Sequence, residues 1–153
     1  MGSLILDEWL WSDLLGDNGT EKQRESLGFI TAVYRKCDRL VTARESKFMT
    51  KGWALLKCSD ATRRDIARFV KLNFLINSLK LKTIPPDELS ALADNLQKMV
   101  KPGDAYLLQV YLAEPGSAII TTDNPLRNAL MKSNISCEDR DVFVPSYISK
   151  YGK

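Results

Sequence analysis

The chain has 153 residues, of which 44% are hydrophobic and 27% charged, and its formal net charge is +3. This length and balance are typical of one folded domain and exclude a disordered chain. The sequence contains no histidine, which excludes a Ser-His-Asp triad, a histidine-activated cysteine and a His-ligated zinc site, so any catalysis must use carboxylates, lysines, hydroxyl groups or a cofactor.

The first part of the chain alternates short apolar strands with helices. Ser3–Leu6 is a short apolar run that predicts a strand, and two acids, Asp7 and Glu8, follow it directly. Apolar residues at helical spacing indicate the helices, and Gly, Ser and Asp mark their boundaries. The predicted elements are, in order, strand Ser3–Leu6, helix Trp9–Leu15, helix 20–38, strand 39–42, helix 43–57, and a helix from a cap at Ser59 or Asp60 to about residue 79.

The second part begins with a break at residues 84–86, after which Pro86 is suited to the first turn of a helix. Later breaks come at Pro102-Gly103 and Pro115-Gly116. The predicted elements here are helix 87–100, helix 105–114, strand Ala118–Thr121, helix 125–132 and strand 141–144.

Short apolar strands separated by helices indicate an α/β fold with a mostly parallel sheet. We expect a three-layer α/β/α sandwich with a central sheet of four or five strands, formed by a single domain over residues 1–153. We expect residues 4–6 to form the central strand, with 40–41 on one side and 119–120 on the other.

The cysteine spacing and the hydropathy indicate the cellular compartment. Cys37, Cys58 and Cys137 lie far apart and lack the spacing of a metal site or a disulfide framework. The N-terminus lacks the basic region of a signal peptide, and no stretch approaches the roughly 20 apolar residues that span a membrane. We therefore expect a cytoplasmic protein with no membrane segment.

Acidic residues stand where the predicted strands end. Asp7 follows the first strand, Asp123 follows the strand Ala118–Thr121, and Asp104 opens the helix between them. Ligands bind at the carboxyl ends of strands in an open parallel sheet. We therefore expect Asp7, Asp104 and Asp123 to meet in one pocket, where carboxylate oxygens suit a hard cation such as Mg²⁺ or Mn²⁺.

The order of Asp104, an apolar helix and Ile119-Ile120-Thr121-Thr122-Asp123 resembles the C-terminal signature of PIN-domain nucleases. The resemblance extends weakly over nearly the whole chain. It implies a compact α/β fold whose three or four acids bind magnesium or manganese and cut RNA. It also implies that Asp7, Asp104 and Asp123 bind the metal, that Thr121 orients a carboxylate or water, and that Glu45 is a fourth catalytic acid.

Two of these acids have ordinary alternatives. Asp104 could simply cap its helix, a role worth about 1 kcal/mol. Asp7 could be a surface turn residue. In PIN-domain nucleases a small polar pair usually follows this acid, whereas Glu8-Trp9 follow Asp7 here. Glu8 could serve instead of Asp7 or beside it.

The alternatives differ for Asp123 and Glu45. Asn124 before Pro125 is the expected helix cap, which leaves Asp123 for the metal, and Asn124 could add a neutral oxygen. Thr42 and Glu45 have the spacing of a capping box, which would use the glutamate for a backbone amide. The register also differs, because the family's glutamate would be expected nearer residues 47–48.

Basic residues at helical spacing suggest a surface that grips the RNA backbone, although a solvated helix face explains them equally well. The candidate substrate-binding residues are Arg63, Arg64, Arg68 and Lys71. Further charge comes from Lys47, Lys51, Lys80 and Lys82.

The leading hypothesis is a Mg²⁺- or Mn²⁺-dependent endoribonuclease of the PIN type. It could be the toxin of a toxin–antitoxin pair, which would bind an antitoxin protein and form a homodimer. The alternative is a catalytically degenerate PIN-like module for RNA binding or assembly. A phosphoacceptor receiver domain, the third alternative, would need more regular strand–helix alternation than the helical run over residues 43–100 allows.

Overall fold

Strand β1, Ser3–Leu6, lies at the centre of a five-stranded parallel sheet in the computed structural model, which describes residues 2–152. Strand β2 (Arg39–Ala43) and strand β4 (Ala118–Thr121) flank it. Strand β3 (Leu81–Ile84) and strand β5 (Cys137–Asp139) form the edges, and every pair is parallel. The predicted parallel sheet and its central strand are confirmed.

Helices cover the sheet in the predicted three-layer α/β/α arrangement. They are α1 (Trp9–Leu15), α2 (Thr20–Arg35), α3 (Lys47–Ala54), α4 (Ala61–Val70), α5 (Asp94–Gln97), α6 (Ala105–Ala113), α7 (Asn124–Lys132) and α8 (Arg140–Tyr151). Helix α6 packs on β1, β2 and β4, whereas α8 packs on β4 and against α2. Among residues 2–152, no helix has the length and apolar content needed to cross a membrane.

The two central strands are apolar except at Ser3 and Thr121, because helices cover both faces of the sheet. Ile5, Ile119 and Ile120 are completely buried. The strand order β3-β2-β1-β4-β5 reverses direction between β1 and β4, so the crevice of the switch point opens at the carboxyl ends of these two strands. The residues directly after β1 and β4 therefore lie at the edge where α/β folds bind ligands.

The predicted last strand, residues 141–144, is wrong because this segment belongs to α8. The β-branched and aromatic residues there resemble a strand locally. The buried residues Arg140, Val144 and Tyr147 instead follow the i, i+4, i+7 spacing of a helix face, while Val142 is exposed. Asp139 caps this helix by accepting a hydrogen bond from the Asp141 amide.

Two predictions between β2 and α6 are also wrong. The edge strand β3, which pairs with β2, was not predicted, because the sequence indicated only a break at residues 84–86. The expected helix 87–100 is only a 3₁₀ turn, Pro86–Glu88, and the single turn α5. Leu89, Leu92, Leu96 and Val100 have the spacing of a helix, which explains the prediction, but they reach the core from a largely irregular segment.

The helix predicted over residues 43–57 begins later, because Ala43 still belongs to β2. The Ser46 hydroxyl accepts a hydrogen bond from the Met49 amide at 3.3 Å and donates one to the Ala43 carbonyl at 2.8 Å. Ser46 is therefore the N-cap of α3. The capping box predicted for Thr42 and Glu45 does not form.

The helices around α3 are shorter than predicted. Helix α2 ends at Arg35 rather than at residue 38. Asp60 caps α4, as one of the two predicted caps, by accepting a hydrogen bond from the Arg63 amide at 3.0 Å. That helix ends at Val70 and continues only as a π turn, Lys71–Leu75, rather than as a helix to residue 79.

A buried ionic network ties α8 to α1 and α2. Arg140, whose side chain is 1% exposed, donates hydrogen bonds to Asp13 at 3.0 Å and to Ser26 at 3.0 Å. It also pairs with Glu25, which is partly exposed. Removing one partner from a buried ion pair leaves an uncompensated charge in the interior, which is more costly than losing a surface pair.

We predict that Asp13→Asn lowers the free energy of unfolding by about 3 kcal/mol, because it strips Arg140 of its buried partner. Urea denaturation measures the change. Lys22→Ala is the control, since it breaks only the exposed Lys22–Asp141 pair and should change stability by less than about 1 kcal/mol. Equal effects of the two substitutions would contradict a structural role for the Arg140 network.

Candidate metal centre

Three carboxylates converge at the carboxyl end of β1. Asp7, Glu8 and Asp104 each offer one oxygen, and these oxygens all lie within 4.8 Å of one another. Two oxygens on opposite sides of a magnesium ion lie about 4.2 Å apart, so small side-chain movements bring the three into ligand distance. The sequence predicted Asp7 and Asp104 for this place, with Glu8 either instead of Asp7 or beside it, and the structure places Glu8 beside it.

Asp7 is held by two hydrogen bonds. Its Oδ1 accepts from the Glu8 amide at 2.5 Å, and its Oδ2 accepts from the Thr121 hydroxyl at 3.1 Å. The same hydroxyl accepts from the Asp123 amide at 3.1 Å. Thr121 thus links the ends of β1 and β4 and fixes the carboxylate of Asp7, which is the orienting contact that the resemblance implies.

Burial raises the pKa of Asp7 above its ordinary value of 3.8, and the charges of Asp104 and Glu8 raise it further. The hydrogen bonds from the Glu8 amide and Thr121 oppose this shift only in part. The raised pKa means that the fold destabilises the ionised form of Asp7 relative to the same group in water. Such groups are typical of functional sites.

Two lysines compensate the cluster from α3. Lys47 Nζ lies 2.8 Å from Glu8 Oε1 and 3.0 Å from Asp104 Oδ1, and Lys51 pairs with the other oxygen of Glu8. Burial alone would raise the pKa of Glu8, but the hydrogen bonds from both lysines lower it below its usual range. The bond to Glu8 in turn raises the pKa of Lys47, so its ammonium remains charged. Three acids and two lysines leave this cluster with a net charge of about −1 at neutral pH.

Lys47 occupies the region where the resemblance would place the fourth acid, residues 47–48. Lys47 was predicted only to add positive charge, because its spacing in the sequence does not reveal the contact with Asp104. That contact arises because α3 and the turn before α6 approach the same edge of the sheet. Lys47 is close enough to this turn that a Cβ on Gly103 would lie 3.1 Å from its Nζ.

Asp123 lies beside the three-acid cluster without belonging to it. Its Oδ1 accepts a hydrogen bond from the Leu126 amide at 3.0 Å, so Asp123 caps α7 and the prediction of Asn124 as the cap is wrong. Asp123 nevertheless lines one cavity with Asp7 and Glu8 and another with Asp104. Its second carboxylate oxygen leaves a metal role open, which stays a prediction.

Glu45 is exposed in the bend before α3 and lies outside the cluster of Asp7, Glu8 and Asp104. The predicted role of Glu45 as a fourth acid receives no support from this placement. Ser46, one residue later, is the N-cap that turns the chain into α3.

The predicted RNA-binding residues Arg63, Arg64, Arg68 and Lys71 are exposed on α4 and at the start of the π turn. In the part of the chain that the structure describes, none of them lines the two cavities that the acids share. Lysines from other elements do line them. They are Lys22 in the cavity with Asp7, and Lys101 in the cavity with Asp104.

A buried tyrosine lies beside the acids. Tyr106, two residues after Asp104 in the first turn of α6, is 8% exposed, and its hydroxyl has no hydrogen-bond partner. Burial raises the pKa of Tyr106 far above its usual value, and the charges of Asp7, Glu8 and Asp104 add to the shift. Sequence reasoning missed this residue, although a polar aromatic in an otherwise apolar helix start was a signal.

These residues fit a hard divalent cation. The donor set consists of carboxylate oxygens, which magnesium and manganese prefer, and the cluster retains net negative charge despite its two lysines.

We predict that Asp7→Asn raises the melting temperature at pH 7. The raised pKa means that the folded protein binds the Asp7 proton more tightly than the unfolded chain does, so the stability from this group is present below pH 3.8 and lost as the pH rises through the folded pKa. The gain from the asparagine should therefore shrink toward zero at pH 3. Thermal unfolding at both pH values measures it.

Glu45→Gln is the control for this experiment, because Glu45 is exposed and its substitution should change stability by less than about 0.5 kcal/mol at either pH. An Asp7→Asn variant that is less stable than the wild type at pH 7 would contradict the description of Asp7 as a strained acid.

Comparisons with known proteins identify no family. No protein-family model matches the chain, and no curated protein or solved structure matches it significantly. The likeness to PIN-domain nucleases therefore remains a hypothesis drawn from residues 104–123, and the function rests on the geometry of the acids.

Proposed function

We propose that the protein is a metal-dependent ribonuclease that hydrolyses RNA phosphodiesters with Mg²⁺ or Mn²⁺. The observation that carries the proposal is the convergence of Asp7, Glu8 and Asp104 within 4.8 Å at the switch point of a parallel sheet. Clustered carboxylates at such an edge suit metal-assisted hydrolysis, and the chain has no histidine to act as a base.

Asp7, Asp104 and Glu8 are the residues that would hold the cation, with Asp123 at the border of the site. A bound divalent cation activates a water molecule and neutralises charge that develops on the phosphoryl oxygens. Thr121 keeps the Asp7 carboxylate in place through its 3.1 Å hydrogen bond. This preorganisation matters because a ligand set that is already oriented needs little rearrangement during the reaction.

Lys47 has a second role in this proposal. Its ammonium forms ion pairs with both Glu8 and Asp104. Its side chain is 44% exposed. A divalent cation between the acids would repel the ammonium and release it toward solvent, since like charges at short range destabilise each other. The released ammonium is placed to contact a phosphate of the substrate at the mouth of the site.

The lysines around the acid cavities support a polyanionic substrate. Lys22, Lys47, Lys51 and Lys101 all lie beside the cluster or its cavities. The cavity linings hold more acids than lysines, so a bound cation would first have to lower their negative charge, and these ammonium groups would then meet the phosphates whose contacts dominate the affinity for nucleic acids. The arginines of α4 belong to a different part of the surface and would act only on a long RNA.

The geometry of Lys47 also favours a second function, the catalytically degenerate module for RNA binding or assembly. Its ammonium already satisfies Glu8 and Asp104 in the region where the resemblance expects an acid. A lysine can replace a metal as the counter-charge of a carboxylate cluster, and the fold would then persist without the reaction. The two functions differ in whether a divalent cation binds at all.

We predict that the protein cleaves single-stranded RNA with Mg²⁺ or Mn²⁺ and that EDTA stops the reaction. Asp104→Asn should lower the rate at least about 100-fold, because the cation contributes several kcal/mol to transition-state stabilisation and this substitution removes a ligand charge. Cleavage of a labelled oligoribonucleotide measures the rate.

Two variants serve as references. Glu45→Gln should keep the wild-type rate within about 2-fold, since Glu45 lies outside the cluster. Asp123→Asn retains a side chain that can cap α7, so any loss of cleavage reports the carboxylate charge. Wild-type protein that binds Mn²⁺ but cuts none of several varied RNAs would favour the degenerate module, and protein that binds no divalent cation would end the nuclease proposal.

A further inference from the structure

A cavity of about 480 Å³ opens beside the acid cluster. Cavities of this size are typical of sites for small organic molecules. Its lining includes Asp7 and Glu8, which offer oxygens to the cation, and the neutral side chains of Ser12, Asn18 and Thr122. The cavity therefore joins uncharged hydrogen-bonding groups to the place where a phosphate of the substrate would meet the cation.

Asn18 is an exposed residue whose side chain is anchored to the protein interior. Its Nδ2 donates a hydrogen bond to Asp13 Oδ1 at 2.7 Å. Asp13 is 1% exposed, and its other oxygen accepts from Ser26 at 2.7 Å and from Arg140 at 3.0 Å. The buried network that ties α8 to α1 and α2 thus orients this surface amide.

The backbone also fixes the turn that carries Asn18. Gly16 ends α1 with a φ of 86°, and Gly19 precedes α2 with a φ of 100°. Residues with a Cβ rarely adopt these conformations, so the two glycines determine the path of the turn. The Gly19 amide closes the turn by donating to the Gly16 carbonyl at 3.1 Å. Asn18 is therefore held by its side chain and by the backbone on either side.

Most of the hydrogen-bonding capacity of this amide is free. An asparagine side chain has two N–H donors and a carbonyl oxygen that accepts. The bond to Asp13 uses one donor, and within residues 2–152 the side chain makes no other hydrogen bond. An oriented acceptor and a donor are therefore available to a ligand in the cavity that Asn18 lines.

The charge of the lining determines which part of a nucleotide enters the cavity. Acids outnumber lysines there, so a phosphate is repelled except where the cation offsets the carboxylates. The nucleoside carries no charge and meets no such repulsion. Its 2′-hydroxyl lies on the same ribose ring as the 3′-phosphate, and it both donates and accepts hydrogen bonds. The 2′-hydroxyl is therefore a neutral group that enters the cavity next to the phosphate.

We propose that Asn18 hydrogen-bonds the 2′-hydroxyl of the nucleotide whose phosphate lies at the acid cluster, and that this contact selects RNA over DNA. The assignment rests on the ribonuclease function proposed above and adds the sugar specificity of the same site. Asp13 and Arg140 are positioning residues, because they orient the Asn18 amide.

The test compares wild type with Asn18→Ala, which removes the amide from an exposed turn. Two fluorescent single-stranded oligonucleotides carry the same bases, one on ribose and the other on 2′-deoxyribose, and their phosphorothioate linkages slow hydrolysis. Anisotropy in Mn²⁺ measures both dissociation constants. We expect wild type to bind the ribose form roughly 3- to 10-fold more tightly, as one hydrogen bond allows, and Asn18→Ala to bind the two forms within about 2-fold of each other.

Asp17→Ala is the matched control in the same turn. Asp17 is exposed and, in the described chain, lines neither cavity of the acids, so its substitution should leave the ratio of the two dissociation constants unchanged. The ratio is the decisive readout, because a general disturbance of the turn changes both affinities together. Loss of the ribose preference in Asp17→Ala as well would show such a disturbance and would overturn the assignment.

Homopolymers of adenine, cytosine and uracil separate a contact to the sugar from a contact to the base. We expect Asn18→Ala to lose the ribose preference on each of them. A variant that keeps the ribose preference but changes the order of affinity among the bases places the contact on the base and overturns the assignment.

The remaining outcomes separate this assignment from the proposed function. Wild type that cleaves RNA but binds the ribose and deoxyribose forms equally overturns the assignment and leaves the ribonuclease function supported. Wild type that shows the Asn18-dependent ribose preference but cleaves no unmodified RNA contradicts the ribonuclease function and leaves the assignment supported. Wild type that binds neither oligonucleotide overturns both.

Discussion

The candidate site depends on holding Asp7, Glu8 and Asp104 close together despite the repulsion between their charges. The sheet places Asp7 and Glu8 at the end of its central strand, and α6 brings Asp104 beside them. Lys47 offsets part of this repulsion, and burial still leaves the pKa of Asp7 raised. The stability of the surrounding core maintains an arrangement that the acids alone would oppose, and a divalent cation would relieve the repulsion that remains.

The centre of the fold was predictable from sequence, and its edges were not. The strands Ser3–Leu6 and Ala118–Thr121 are buried on both faces, so their continuous apolar runs identify them without knowledge of their neighbours. The edge strand Leu81–Ile84 has no such run, so its local sequence does not identify it. It is defined as a strand by its pairing with β2. The segment 141–144 was misjudged because its β-branched and aromatic residues dominate the local pattern, while the helical spacing appears only when Arg140 and Tyr147 are included.

The part of the candidate site that lies at the carboxyl ends of the strands was predictable. Asp7 and Asp104 were found because parallel strands gather such residues at one edge. The ion pairs of Lys47 and the burial of Tyr106 depend on how α3 and α6 pack on the sheet, and no local pattern encodes that packing. Glu45 was chosen as the only glutamate early in the helix predicted after β2, but Ser46 caps the observed helix and leaves this glutamate exposed in the bend before it.

The central claim is that the acids at the end of β1 form a cation site that competes with Lys47. A crystal of the protein soaked in Mn²⁺, with anomalous diffraction, tests it most directly. The account predicts one anomalous peak bound by oxygens of Asp7 and Asp104, with the Lys47 ammonium displaced from its 3.0 Å contact with Asp104. A crystal without such a peak, in which Lys47 still bridges Glu8 and Asp104 at saturating Mn²⁺, would contradict it.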